Sequence, residues 1–230
     1  MPINNSRLAL VFAAAVTFVP VVAEATIARA MQFDDKVENA AAIVVGKVVA
    51  QQSRWDESGR RILTYSTIQV EKTLKGAQAP QTTIVTPGGV VGDIAQEYVG
   101  IPRFAVGEEH VLFTRNAKAG PTVLYFDQGA YRVERNDRGE RIVHPLVTSA
   151  VLMDTQRGMA VAPEQPRTLT AFESQVRESS RRIEAVRMKM IEQQRAEASF
   201  WGQIQRNKLL VILALMGVLL ATWQFFRSRP

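Results

Sequence analysis

Two histidines, His110 and His144, are the only imidazoles among 230 residues, and the chain contains no cysteine. Thiol nucleophiles, thiolate zinc sites and disulfides are therefore excluded. His110 lies in Glu109-His110-Val111-Leu112-Phe113 and His144 precedes Pro145, each at the level of a strand. Neither has a second histidine or an acid at ligand spacing, so no metal site is expected. No serine stands in a Gly-x-Ser-x-Gly elbow, which leaves that type of hydrolase without a nucleophile. The acidic neighbours Glu108 and Glu109 point to opposite faces if the segment is a strand, so they cannot serve one substrate as a general acid–base pair. Gly88-Gly89-Val90-Val91-Gly92 lacks the Lys-Ser/Thr pair or following helix that a phosphate cradle requires, and reads as a turn. No catalytic or cofactor-binding residue is nominated, and no cofactor is expected.

What remains is contact chemistry. Arg54 and Trp55 stand beside Asp56 at the tip of an expected hairpin, where a tryptophan acts as a contact residue or simply caps one end of the domain. Gly88, Gly89 and Arg103 are the other candidate protein contacts. Asp34–Ala41 is expected as a short helix with acids in its first turn. After it come seven expected strands: Ile43–Arg54 (with a bend at Gly46), Arg61–Leu74, Thr82–Thr86, Glu109–Arg115, Val123–Asp127, Tyr131–Arg135 and Arg141–His144. Turns rich in Gly, Asn, Asp and Pro separate them, with no helical period between, which predicts a small closed barrel or sandwich. Val45, Ile68, Val70, Val111 and Phe113 are its expected core.

Val147–Arg167 reads as a linker, with Gly158, Pro163 and Pro166. A long helix follows, opened by a capping box of Thr170 and Glu173. Its apolar spacing alternates four and three from Phe172 through Val176, Ser179, Ile183, Val186 and Met190, then weakens at Gln193 and Glu197 before Phe200 and Ile204. That is coiled-coil spacing, and Ile183, Val186 and Met190 are the candidate association residues; one amphipathic helix lying on the domain or on a membrane gives the same pattern.

The two ends decide the compartment. Arg7 precedes the apolar run Leu8–Val22 and two Ala-x-Ala exits, Ala23-Glu24-Ala25 and Ala28-Arg29-Ala30, the pattern of a secretory leader. Leu209–Phe226 is long enough to cross a bilayer and is closed by Arg227 and Arg229. The expected organisation is a signal peptide (1–30), a β domain with a short helix (31–146), a linker (147–167), a stalk helix (168–208), a transmembrane helix (209–226) and a cytoplasmic tail (227–230). Net charge is +6, with basic residues concentrated before the second apolar run, so the basic face meets anionic lipid and no nucleic-acid partner is expected.

Ala42-Ile43-Val44-Val45-Gly46-Lys47-Val48 leads the β region. Tyr65–Val70 runs into Glu71-Lys72-Thr73-Leu74-Lys75-Gly76, then come Pro87-Gly88-Gly89 and Phe104-Ala105-Val106-Gly107-Glu108-Glu109-His110-Val111-Leu112-Phe113. This order resembles the netrin-type module, the OB-like barrel shared with tissue inhibitors of metalloproteases. The resemblance implies a mainly β fold: a small OB-like barrel, followed here by a long helix and a transmembrane helix. The inhibitors grip the protease zinc through an N-terminal cysteine; this chain has none, so neither that mechanism nor any functional residue carries over. Gly88–Arg103 also resembles exported bacterial proteins with a Pro-Gly-Gly turn and an Ile-Pro-Arg-Phe stretch, which implies a bacterial envelope setting.

The expected function is a single-pass inner-membrane protein presenting a protein-binding β module in the periplasm or outside the cell. Its partners are lipid and another envelope protein, or itself through the stalk. The alternatives are a scaffold acting through stalk and span, and a hydrolase whose site carries no motif.

Overall fold

The computed structural model describes residues 27–146, 151–154, 157–162 and 164–227. The apolar run Leu8–Val22, the exit Ala23–Ala25, residues 147–150 and residues 228–230 lie outside them. The described chain is mainly β, with a helix at its C-terminal end that is long and apolar enough to cross a membrane.

Two long strands organise the sheet. β1 (Ile27–Arg29) and helix α1 (Phe33–Asn39) precede β2 (Ala42–Trp55), which pairs antiparallel with β3 (Ile62–Lys75). Their turn is fixed by the Asp56 carboxylate, which accepts from the Ser58 hydroxyl at 2.8 Å and from the N–H groups of Arg60 and Arg61 at 3.1 and 3.2 Å. These bonds, with Ser58 the strongest, hold its carboxyl well below the usual range. The register shifts between Val45 and Gly46, as the glycine suggested. A Cβ there would stand 2.4 Å from the Gln69 carbonyl oxygen, so the bulge depends on glycine for close approach.

β4 (Gln81–Pro87) continues the sheet beyond β3, while β7 (Glu109–Ala117) pairs with the other edge of β2. β8 (Gly120–Val123) and β9 (Ala130–Arg135) both pair with β7, and β10 (Arg141–Pro145) and β13 (Arg167–Thr168) extend from β9. The path β13-β10-β9-β7-β2-β3-β4 is open. β4 curls round until it lies beside β8, and a Cβ on Gly120 would meet the Val85 methyl at 3.2 Å, yet no ladder joins the two strands. The expectation of a closed barrel is therefore corrected: the seam is side-chain packing, not hydrogen bonding.

Two hairpins stand outside this sheet. β5 (Gly89–Val91) pairs with β6 (Ile94–Gln96), in the segment read as a turn. β11 (Val151–Asp154) pairs with β1 in parallel and with β12 (Met159–Ala160) antiparallel, inside the segment read as a linker. The expected strand Val123–Asp127 is also corrected. After β8 the chain passes through left-handed conformations at Tyr125 and Phe126 (φ 54° and 60°) into a 3-10 turn, Phe126–Gly129. The turn folds back so tightly that a Cβ on Gly129 would lie 2.1 Å from the Leu124 carbonyl oxygen.

β7 is buried on both faces, from His110 to Thr114. Leu112 faces the hollow of the curled sheet with Val44, Val48, Ile68, Ile84, Phe104 and Val123. Val111 and Phe113 face the other way, with Ile43, Val45, Tyr131 and Val143, against α1 and α2 (Leu169–Arg206). Of the expected core, Val45, Ile68, Val111 and Phe113 are fully buried and Val70 only partly.

The first turns of α2 belong to that second core. Leu169, Phe172 and Val176 are buried in it, and Phe172 meets Phe33, Phe113 and Tyr131 edge-on at 5.4, 6.1 and 4.9 Å. The cap is Thr168, whose hydroxyl accepts from the Ala171 N–H at 3.2 Å; pairing with Ile142 holds Thr168 extended, as a cap requires. The expected Thr170–Glu173 box is not formed, and Glu173 instead pairs with Lys72 at 2.6 Å. α3 (Lys208–Arg227) follows, and none of its apolar window is buried among the described residues.

Candidate functional site

β5 and β6 fold over one end of the curled sheet and wall a cleft of about 330 Å³. Its floor is polar. Ser53 and Thr64 hydroxyls lie 2.8 Å apart, Thr64 donates to the Gly88 carbonyl at 2.6 Å, and the Gln51 amide donates to Ser66 and to the Phe104 carbonyl. Gly89 has φ 132°, and a Cβ there would fall 2.3 Å from the Thr64 hydroxyl. The glycines therefore bring the hairpin down onto the hydroxyls rather than cradling a phosphate. Gln96 closes the hairpin by accepting from the Ile62 N–H at 2.8 Å and donating to the Arg60 carbonyl at 3.1 Å.

A second groove, about 420 Å³, lies across Ile101 and Pro102 from the first, with Thr86 and Pro87 lining both. Its lip is the left-handed pair Tyr125–Phe126, tied to the loop by the Asp127 N–H donating to the Gly100 carbonyl at 2.8 Å. Left-handed conformation is costly for bulky residues, yet it turns Phe126 outward to 60% exposure. Val90, Ile94, Tyr98 and Val99 are exposed on the same end of the domain. Polar cleft and apolar rim form a recessed surface at this end of the β sheet, suited to holding a partner segment by both backbone polarity and side-chain burial.

The candidate contacts divide. Gly88, Gly89 and Arg103 line the first cleft, where Arg103 pairs with Glu97. Arg54 and Trp55 do not line it: Arg54 stacks over the Tyr65 ring at 4.0 Å and Trp55 is half-buried at the end of β2. On α2, Ile183 packs at the margin of the core, while Val186 and Met190 are exposed. All three line a shallow groove with Asp34 and Glu38 from α1. Phe200 and Ile204 lie in the helix, but their side chains are outside the described set.

Two charged clusters went unseen in the sequence. Glu108 and His110 stand two apart on one side of the chain, and His110 Nε2 lies 3.1 Å from the Glu108 carboxylate. That carboxylate also accepts from the Ala105 N–H at 2.9 Å and pairs with Arg132 at 3.2 Å. Burial, resisted by the Glu108 hydrogen bond and charge, keeps the imidazole below its ordinary pKa. Its Nδ1 has no partner at hydrogen-bonding geometry, and the Tyr131 carbonyl acts on the ring only as a nearby dipole. Glu109 turns the other way to Arg141 at 3.0 Å. The spacing of two, read as a same-face pair on an extended chain, was the available signal.

The second cluster centres on Lys36, buried to 2% exposure. Its ammonium donates to the Tyr131 hydroxyl at 2.6 Å and to Glu164, whose carboxylate is also held by Arg167 at 2.7 Å. Burial lowers the Lys36 pKa and raises that of Tyr131 well above its usual value. This cluster reads as a clasp between α1, β9 and the segment entering α2. Among the described residues no group of three or more His, Asp or Glu is placed to hold a metal. Comparison with protein families, curated proteins and solved structures finds no match to this chain.

Proposed function

We propose that the chain is a membrane-tethered envelope protein that holds a partner protein at the β5–β6 end of its β domain. The observation that carries this reading is the exposed Val90 and Tyr98 lining a polar cleft at the end of the sheet, with the exposed Phe126 in the adjoining groove. Exposed apolar groups clustered at a recess mark interaction surfaces, and Gly88, Gly89 and Arg103 contribute to this one. The tether is α3, with the domain facing the periplasm or the exterior of a bacterium and the span in the inner membrane. That setting rests on the leader-like N-terminal sequence together with an apolar helix whose apolar window is not buried among the described residues.

The OB-like, netrin-type description of the domain is proposed on similar grounds. A long bulged β2 pairing with both β3 and β7, and a β4 that curls back beside β8, suit a partly open barrel of that kind. A second reading, a scaffold acting through α2, is favoured by the exposed Val186 and Met190 beside Ile183.

The test is capture of partners by the full-length chain extracted from native membranes. A Val90→Ser/Phe126→Ser pair should reduce the specifically captured protein at least tenfold with unchanged thermal midpoint. Retention by that pair, with loss in Val186→Ser/Met190→Ser, would overturn the cleft reading in favour of the scaffold.

A further inference from the structure

We propose that the cleft under the β5–β6 hairpin recognises a side-chain carboxamide, an asparagine or glutamine that the partner presents two residues from an apolar one. The proposal rests on the reading of this end of the domain as the partner site, and names what that site selects.

The argument is a count of hydrogens. Thr64 has one hydroxyl hydrogen and gives it to the Gly88 carbonyl at 2.6 Å. The 2.8 Å contact between the two hydroxyls is therefore Ser53 donating to Thr64, which leaves the Ser53 oxygen with acceptor capacity alone. Gln51 spends both amide hydrogens, one on Ser66 at 3.1 Å and one on the Phe104 carbonyl at 3.0 Å. Its Oε1 accepts from nothing among the described residues. Free donors stand at two places. Thr86 is only 5% exposed and lines both recesses, yet its hydroxyl makes no hydrogen bond among the described residues. It is not one of the enclosed orphan atoms, which are Thr73 Oγ1, His110 Nδ1 and Arg132 Nε, so it is reached from a recess. Gln96 places one amide hydrogen on the Arg60 carbonyl and keeps the other.

The cleft thus offers two acceptors and two donors, none of them charged. A carboxamide is their complement: two N–H groups for Ser53 Oγ and Gln51 Oε1, and one oxygen with two lone pairs for Thr86 and Gln96. A carboxylate brings no hydrogen for the acceptors, and an ammonium brings no lone pair for the donors. The rim leaves this balance alone, because Arg103 and Glu97 pair with each other. Leaving a desolvated polar group unmatched costs more than matching it gains, so the cleft selects largely by rejection.

The adjoining groove supplies the second feature. Pro87, Ile101, Pro102 and Phe126 line it, and it shares Thr86 and Pro87 with the cleft, so the two recesses are direct neighbours. On an extended segment, residues i and i+2 point to one side about 7 Å apart. A carboxamide in the cleft therefore brings an apolar second neighbour over the groove.

The probe is the peptide Leu-Gly-Gln-Gly-Leu-amide with an N-terminal fluorophore, which offers an apolar second neighbour in either chain direction. It is titrated by polarisation against the full-length chain extracted from membranes. The Gln peptide and its Asn counterpart should bind at least tenfold more tightly than peptides with Glu, Lys or Leu at that place. Thr86→Val, which removes the hydroxyl and keeps the branched shape, should abolish the preference with an unchanged thermal midpoint, and Thr86→Ser should restore it. Equal binding of all five peptides, tighter binding of the Glu or Lys form, no binding of the Gln and Asn forms, or a preference that survives Thr86→Val each overturns the proposal. Capture of the native partner separates the two levels of failure. If the peptides fail while Val90→Ser/Phe126→Ser still loses the captured protein, the site stands and its carboxamide selectivity falls; if that pair retains the protein, the site falls as well.

Discussion

His110 resists protonation because of where it sits, edge-on to Phe104 at 4.9 Å and fully enclosed, although a carboxylate stands at one nitrogen. Its folded pKa lies below the 6.5 of the unfolded chain. The unfolded chain therefore binds more protons below pH 6.5, and stability falls as pH drops from there towards the folded value. Asp34 and Glu108 have folded pKa values depressed from 3.8 and 4.5, Asp34 chiefly by the Ser179 hydroxyl, so their contributions are present above those values and lost as pH falls below them. The expected outcome is a thermal midpoint that declines in two stages on acidification. His110→Gln should remove the first stage, which begins below about pH 6.5, and leave the second; thermal melts across the acid range in wild type and variant check it. A first stage that survives the substitution would assign it elsewhere.

Ile68 sits in the alternating run of β3, where Ile62, Thr64 and Ser66 share its buried side. Truncating Ile68 to Ala leaves a cavity in the hollow of the sheet and should cost about 2–5 kcal/mol, read by denaturant unfolding; a change below about 0.5 kcal/mol would mean the hollow collapses around it. Alternation of this kind is why the main strands were legible from sequence. The β5–β6 hairpin was not, because Gly88 and Gly89 look the same whether they end a strand or begin a hairpin; what selects the hairpin is Gln96 reaching to Ile62, a contact between positions distant in sequence. The closed barrel failed for a related reason. Local pattern fixes strand faces, but whether β4 bonds to β8 depends on curl accumulated over the intervening strands. Of the candidate site, Gly88, Gly89 and Arg103 were found through turn signals and a family-like stretch. Phe126 was missed, since its exposure follows from a left-handed turn that its sequence does not favour.

The heptad stripe of α2 illustrates the same limit for the molecule as a whole. Phe172, Val176 and Ser179 have the spacing of an association seam, yet they face inward onto their own domain. A chain ending after Leu146 therefore lacks part of its core, including Phe172 and the Glu164 that holds Lys36. It should fail to give a cooperative melt, while one ending after Gln194 should melt cooperatively; calorimetry of the two distinguishes them, and a cooperative melt from the shorter chain would show α2 to be dispensable. The joint between α1 and α2 also has a mechanical consequence. Because the two helices lie side by side in the same sense, a pull transmitted from the span through α2 drags Phe172 past Phe33 and Arg182 past Asp34 together. The contacts are loaded in parallel, as in shear, rather than opened one at a time like a zip. β13, with only two paired residues, would peel readily by itself, but it lies above this joint and is shielded from the load. On the proposed tethered reading, a domain fastened in this way would withstand tension between a bilayer and a bound partner.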